Sequence, residues 1–219
     1  MSNTLTQRLS TTYWGGLFTL AMVLMGLALG HSYLMVQRGL LGGVGTADTV
    51  VGLTVGALGF VVLWIGLKKD SEDQATVLGY LAGSLIWIGI FEWTWEYFGH
   101  WLGVSTIMAD DIPILAPGLQ MIQSTSLIVI AMLIFLGANK DTRCRMFMWF
   151  HRNFKLTPGR MTGGYKRQYA RVTAMETLFL IWFIYICAIT INDPRLIRFD
   201  STAAMVITVG FVVWGIYLV

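Results

Sequence analysis

The sequence predicts an all-α fold: an integral membrane bundle of about six transmembrane helices with both termini cytoplasmic. Three observations carry that prediction. Of 219 residues, 56% are apolar and only 12% are charged, about half the charge of a soluble domain. Apolar stretches at roughly 12–37, 49–67, 76–102, 118–138, 173–191 and 201–219 are each near the ~20 residues that cross a bilayer. They are continuously apolar and do not alternate at period two, which argues against a transmembrane barrel. Finally, charge divides by connection. Residues 139–172 hold Lys140, Arg143, Arg145, Arg152, Lys155, Arg160, Lys166, Arg167 and Arg171 against Asp141, whereas the connection between spans three and four holds Asp110 and Asp111 with no base. Basic loops stay cytoplasmic, so the chain is expected in a bacterial-type inner membrane as a single transmembrane domain over 1–219.

The elements follow in order. From Tyr13 to Val36 the first apolar run is too long for the core of a cleavable signal and reads as a signal anchor. Span two ends at Lys68 and Lys69, a further inner charge. Gly26 with Gly30, and Gly79 with Gly83, are small residues four apart, the spacing that lets membrane helices approach closely. Within the long inner loop, residues 143–156 interleave bases with Met, Phe and Trp, as in a helix lying on an anionic leaflet, and His151 belongs to that interfacial face. Thr157-Pro158-Gly159 breaks it. Anionic lipid is the expected partner of this loop, with docking of a partner subunit as the alternative. Nucleic acid is not, because topology alone accounts for the charge. Trp214 and Tyr217 read as anchors at the inner interface. Cys144 and Cys187 lack the spacing of a metal or disulfide pair. No internal repeat divides the spans into similar halves.

Span three carries the chemistry. Glu92, Glu96 and His100 recur every four residues in Phe91–Trp101 and share one helical stripe. Taking Gly89 as the midplane and ~1.5 Å rise per residue, they stand roughly 4, 10 and 16 Å above it. His31 on span one lies roughly 9 Å above its own midpoint, level with Glu96. Gln120 and Gln123 descend to similar heights on span four, and Asp110 and Asp111 cap the same side. Ionisable groups in hydrocarbon are costly and generally mark function. His31, Glu92, Glu96 and His100 are therefore candidate metal ligands, with Gln120, Gln123, Met35, Asp110 and Asp111 around them. Imidazole with carboxylate suits iron, zinc or copper, and the Met35 thioether one turn beyond His31 favours copper. A structural hydrogen-bond network or proton relay built from the same residues is the other reading, and haem b held by His31 and His100 is a third.

Two runs also resemble a known family. Gly26-Leu27-Ala28-Leu29-Gly30-His31-Ser32-Tyr33-Leu34-Met35 is similar to the Gly-x-x-His-x-x-x-Met stretch in the A subunit of copper membrane monooxygenases, the particulate methane and ammonia monooxygenases. Glu92-Trp93-x-x-x-Tyr97-Phe98 resembles that subunit's Glu-Trp-x-x-x-Tyr-Phe, and Pro113 to Pro117-Gly118 follows as its Pro-rich external connection does. The resemblance covers roughly the first 140 residues. It departs at Gly39-Leu40-Leu41-Gly42-Gly43, where the family has Asp-x-Asp-Phe-Trp. It implies a helical subunit of an oligomeric copper enzyme that hydroxylates a small molecule. Such an enzyme requires other membrane subunits and a separate electron donor, since the chain has no reductase module. A non-catalytic scaffolding subunit and a small proton-coupled transporter are the alternative expectations.

Overall fold

The computed structural model describes residues 17, 21, 22, 25, 26, 28–137 and 145–218. Much of the early part of span one, Cys144 with the rest of 138–144, and the Trp214 and Tyr217 side chains lie outside what is described. Helices cover the remaining apolar stretches: α1 over residues 28–41, α2 Thr46–Leu67, α3 Glu72–Ile86, a wider π-turn segment Trp87–Glu92, α4 Trp93–Trp101, α5 Pro117–Gly137, α6 Arg145–Asn153, α7 Tyr169–Asn192 and α8 Thr202–Leu218. Among the described residues, three continuous helical stretches, Thr46–Leu67, Glu72–Trp101 and Tyr169–Asn192, are long and apolar enough to cross a membrane. Large apolar side chains on their outer faces, among them Leu53, Phe60, Trp64 and Phe183, are exposed, as a lipid-facing surface would have them.

The chain forms two compact units, Met1–Val50 and Val51–Val219. In the first, α1 closes with Gly42 at φ 78° and a Gly43 N–H donating to the Arg38 carbonyl at 2.9 Å. That left-handed stop costs a glycine nothing and ends the helix. The turn brings Asp48 back onto α1, where Gln37 Nε2 donates to its Oδ1 at 2.7 Å and the Arg38 guanidinium lies 3.9 Å from Oδ2. Asp48 is fully buried, so these partners offset its desolvation.

In the second unit, missing β-carbons set the packing. A β-carbon at Gly56 would lie 2.4 Å from Ile90 Cδ1, and one at Gly89 would lie 2.2 Å from the Gly56 nitrogen. The backbones of α2 and the π segment therefore touch. On the opposite face α3 packs along α7, with Gly79 and Gly83 seated against the Ala170 and Ala174 carbonyls. Small residues drive membrane helices together because dispersion between backbones replaces the hydrophobic effect that lipid cannot supply. Next, α4 packs on α5, and α5 on α7.

The departure from an all-helical reading is a short hairpin, β1 Ile107–Ala109 and β2 Ile112–Leu115, paired antiparallel with Ala109 opposite Ile112. Its two turn residues, Asp110 and Asp111, both have positive φ (49° and 64°). That is the mirror-image turn whose twist suits a two-residue hairpin, and Asp is among the side chains that tolerate it.

A buried carboxylate at the centre of a membrane-length helix

Glu92 closes the π segment. There the Trp93 N–H reaches back to the Ile88 carbonyl, one residue farther than in an α-helix. Such a widened turn is a frequent companion of functional sites. Glu92 is 4% exposed. Its Oε2 accepts from Trp87 Nε1 at 3.0 Å and its Oε1 from the Tyr185 hydroxyl of α7 at 2.9 Å. Rings close around the carboxyl: Trp87 lies 5.4 Å from Tyr185 and 5.4 Å, edge on, from Trp95. A hydrogen bond to a charged group contributes about 1.5–3 kcal/mol, and burial without one would cost more. Tyr185 is the partner of Glu92 that sequence reasoning missed. The available signal was a phenol in the middle of an apolar span, where a buried hydroxyl needs an acceptor.

One turn toward the C-terminal end of the helix, Glu96 lies over the first turn of α5. A β-carbon on Gly118 would fall 2.4 Å from Glu96 Oε1, so only glycine leaves room for the carboxylate there. The positive end of α5 faces it. His100 Nε2 is 3.9 Å from Glu96 Oε2, and their side chains are 52% and 12% exposed. Exposure therefore falls stepwise from His100 through Glu96 to Glu92.

The other sequence-selected residues have different surroundings. Gln120 Nε2 donates to the Ser105 carbonyl at 2.6 Å and to the Leu115 carbonyl, tying the hairpin to α5. Gln123 joins a second polar cluster: its Nε2 donates to Asp193 Oδ2 at 3.2 Å, and its Oε1 accepts from Arg195 at 3.3 Å. Asp193 is 1% exposed and is forked by Arg195 through Nε at 3.0 Å and a terminal nitrogen at 2.7 Å. The guanidinium holds the Asp193 carboxyl well below its usual range, at about 2, and is itself raised. Asp110 pairs with Arg198, whose guanidinium is raised by Asp200 and Asp110. Asp111 is exposed at the hairpin tip. His31 and Met35 belong to α1 in the first unit, both with exposed side chains.

No family model, curated protein or solved structure matches the chain. Its chemistry is read from the residues alone. Among the described residues, no three His, Cys, Asp or Glu side chains gather as a metal site. Both Glu92 oxygens already accept hydrogen bonds, and Glu96 with His100 offers two donors, fewer than the three or more that copper, iron or zinc sites draw from protein. The described donor set therefore does not by itself fit a copper ion.

Proposed function

We propose that the protein is an integral membrane component of bacterial inner-membrane type, a six-span bundle with cytoplasmic termini, that handles protons: Glu92 takes up and releases a proton, exchanged with the outer side through Glu96 and His100. The observation that carries this reading is the graded stripe. A buried carboxylate held by two donors is followed, one turn at a time, by a largely buried carboxylate and a half-exposed imidazole. Groups one turn apart on a helix are near neighbours, and carboxylate and imidazole both carry protons readily. The Tyr185 hydroxyl keeps Glu92 hydrogen-bonded in either protonation state, since a phenol both donates and accepts. Small proton-coupled transport, or the proton path of a larger complex, is the activity that follows.

The test is proton flux into liposomes containing the purified protein, followed with a pH-sensitive dye under an imposed gradient. Glu92→Gln, which keeps shape and burial, is expected to abolish flux above the lipid background. Tyr185→Phe is expected to lower it. Equal flux in wild type and Glu92→Gln overturns the reading.

A second reading, a subunit of a metal-dependent oxidoreductase using copper or iron, keeps one supporting observation. Glu96 and His100 present oxygen and nitrogen donors on one face at the accessible end of the stripe, where a neighbouring subunit can add others. On this reading, copper or iron measured by elemental analysis of the complex purified from native membranes is stoichiometric in wild type and lost in His100→Ala. Metal content unaffected by His100→Ala removes it.

A further inference from the structure

At the opposite end of the bundle from the carboxylate stripe, α2, α3 and α7 converge on a feature that the proton reading does not use. The last turn of α2 and the strand of chain before α7 enclose a pocket of about 110 Å³ lined by Lys68, Lys69, Lys166 and Arg167, with Asp70 as its acid. Lys166 pairs with Asp70, which leaves three bases facing the pocket uncompensated by it. Two of them rest their charged groups on aromatic rings: Lys68 Nζ stands 3.3 Å over Trp64, and the Arg167 guanidinium lies 5.4 Å from the Tyr169 ring. Gln168 and Tyr169, at the opening turn of α7, also line it, so the positive end of the helix dipole adds to the field.

Directly beside it runs a groove of about 580 Å³ lined by Ile65, Val77 and Leu78, with Asp73 and Gln74 among its polar lining. Lys69 borders both spaces. A basic hollow beside an apolar furrow, with Lys69 at the border of both, suits the chemistry of one molecule: a phosphate attached to an acyl chain. Basic pockets between membrane helices on the cytoplasmic side hold anionic headgroups in this manner. Free phosphate would have no use for the groove, and a zwitterionic lipid would leave the cationic excess unanswered.

We infer that the inner ends of α2, α3 and α7 form a binding site for an anionic phospholipid, its phosphate among Lys68, Lys69 and Arg167 and one acyl chain along Ile65, Val77 and Leu78. The site is separate from the outer cluster and stands or falls independently of the proton reading. It is also distinct from the surface helix α6, whose bases are not among its lining.

Native mass spectrometry of the full-length protein in detergent tests it, with phosphatidylglycerol, phosphatidylethanolamine and inorganic phosphate as probes. Wild type is expected to retain one phosphatidylglycerol and to prefer it over phosphatidylethanolamine by about tenfold, the scale of one to two interfacial charges. Lys69→Ala with Arg167→Ala should reduce retention by about tenfold or more. Val77→Trp should do the same by filling the groove without touching a charge, and Arg152→Ala on α6 should leave retention intact. Millimolar inorganic phosphate should not displace the lipid. Equal retention by wild type and the Lys69/Arg167 variant, equal binding of the two lipids, or displacement by inorganic phosphate each overturns the proposal. Melting temperatures of the variants in lipid-free detergent, expected to match wild type, separate lost binding from lost folding.

Discussion

Each oxygen of Glu92 accepts from a different segment, Trp87 on the same helical stretch and Tyr185 ninety-three residues away on α7. Asp193 is equally buried but is matched by a full counter-charge, the Arg195 fork. One carboxyl is thus held by neutral donors and the other by a guanidinium. The second has a measurable pH signature. Arg195 and Gln123 lower the folded-state value of Asp193 to about 2, below the ~3.9 of an unfolded chain. Its contribution to stability is therefore fully present above about pH 4 and is lost as pH falls from there toward 2, because the unfolded state then binds the extra proton. Hydrogen exchange of the backbone after α7, corrected for intrinsic rates, should accelerate between pH 4 and pH 2 in wild type. In Asp193→Asn it should be fast already at pH 5, with little further change on acidification. Unchanged protection in wild type at pH 2.5 contradicts the assignment.

At the scale of helices, period and hydropathy were legible and partners were not. The ends of α2, α5 and α7 fall within a few residues of the apolar stretches because hydrocarbon thickness sets a length that composition must match. The Glu92–Glu96–His100 stripe was legible because α4 is regular, so a four-residue spacing keeps side chains on one face. The widened turn at Trp87–Glu92 was not. It has no local signature in Trp-Ile-Gly-Ile-Phe-Glu and follows from the close seat of Gly89 on Gly56, a contact between distant segments. Likewise Gly79 and Gly83 could be read as a packing pair, yet only the fold shows Ala170 and Ala174 as what they pack against. The hairpin was hidden for a different reason. Asp110-Asp111 lacks the glycine that usually marks such a turn, and strands of three and four residues are too short for alternation to register. Gln120 and Gln123 were found by depth alone, and depth does not distinguish a residue facing Glu96 from one facing Ser105 or Asp193.

Across the whole molecule, two long-range ion pairs bear on how the chain is threaded. Asp70, after α2, meets Lys166, before α7, and Asp110, in the hairpin, meets Arg198, after α7. In the orientation expected from the sequence, the first pair joins two inner connections and the second two outer ones. Exposed pairs of this kind add little stability. Their value is geometric, because a charged pair bridging two loops requires both loops on the same side. The arrangement predicts a labelling pattern. In a background with Cys144 and Cys187 replaced by Ser, cysteines introduced at Ile112 and Leu196, both exposed, should react with a membrane-impermeant maleimide on intact cells. A cysteine at Met161, also exposed, should react only after permeabilisation. Inverted labelling at all three positions would reverse the orientation and put the His100 end of the stripe on the cytoplasmic side. Labelling of Ile112 and Leu196 from opposite sides would break the link between the hairpin and the α7–α8 connection. In the first case the proposed proton path would open to the cytoplasm and the proposed phospholipid pocket would face the outer leaflet, so this pattern sets the direction that both proposals must take.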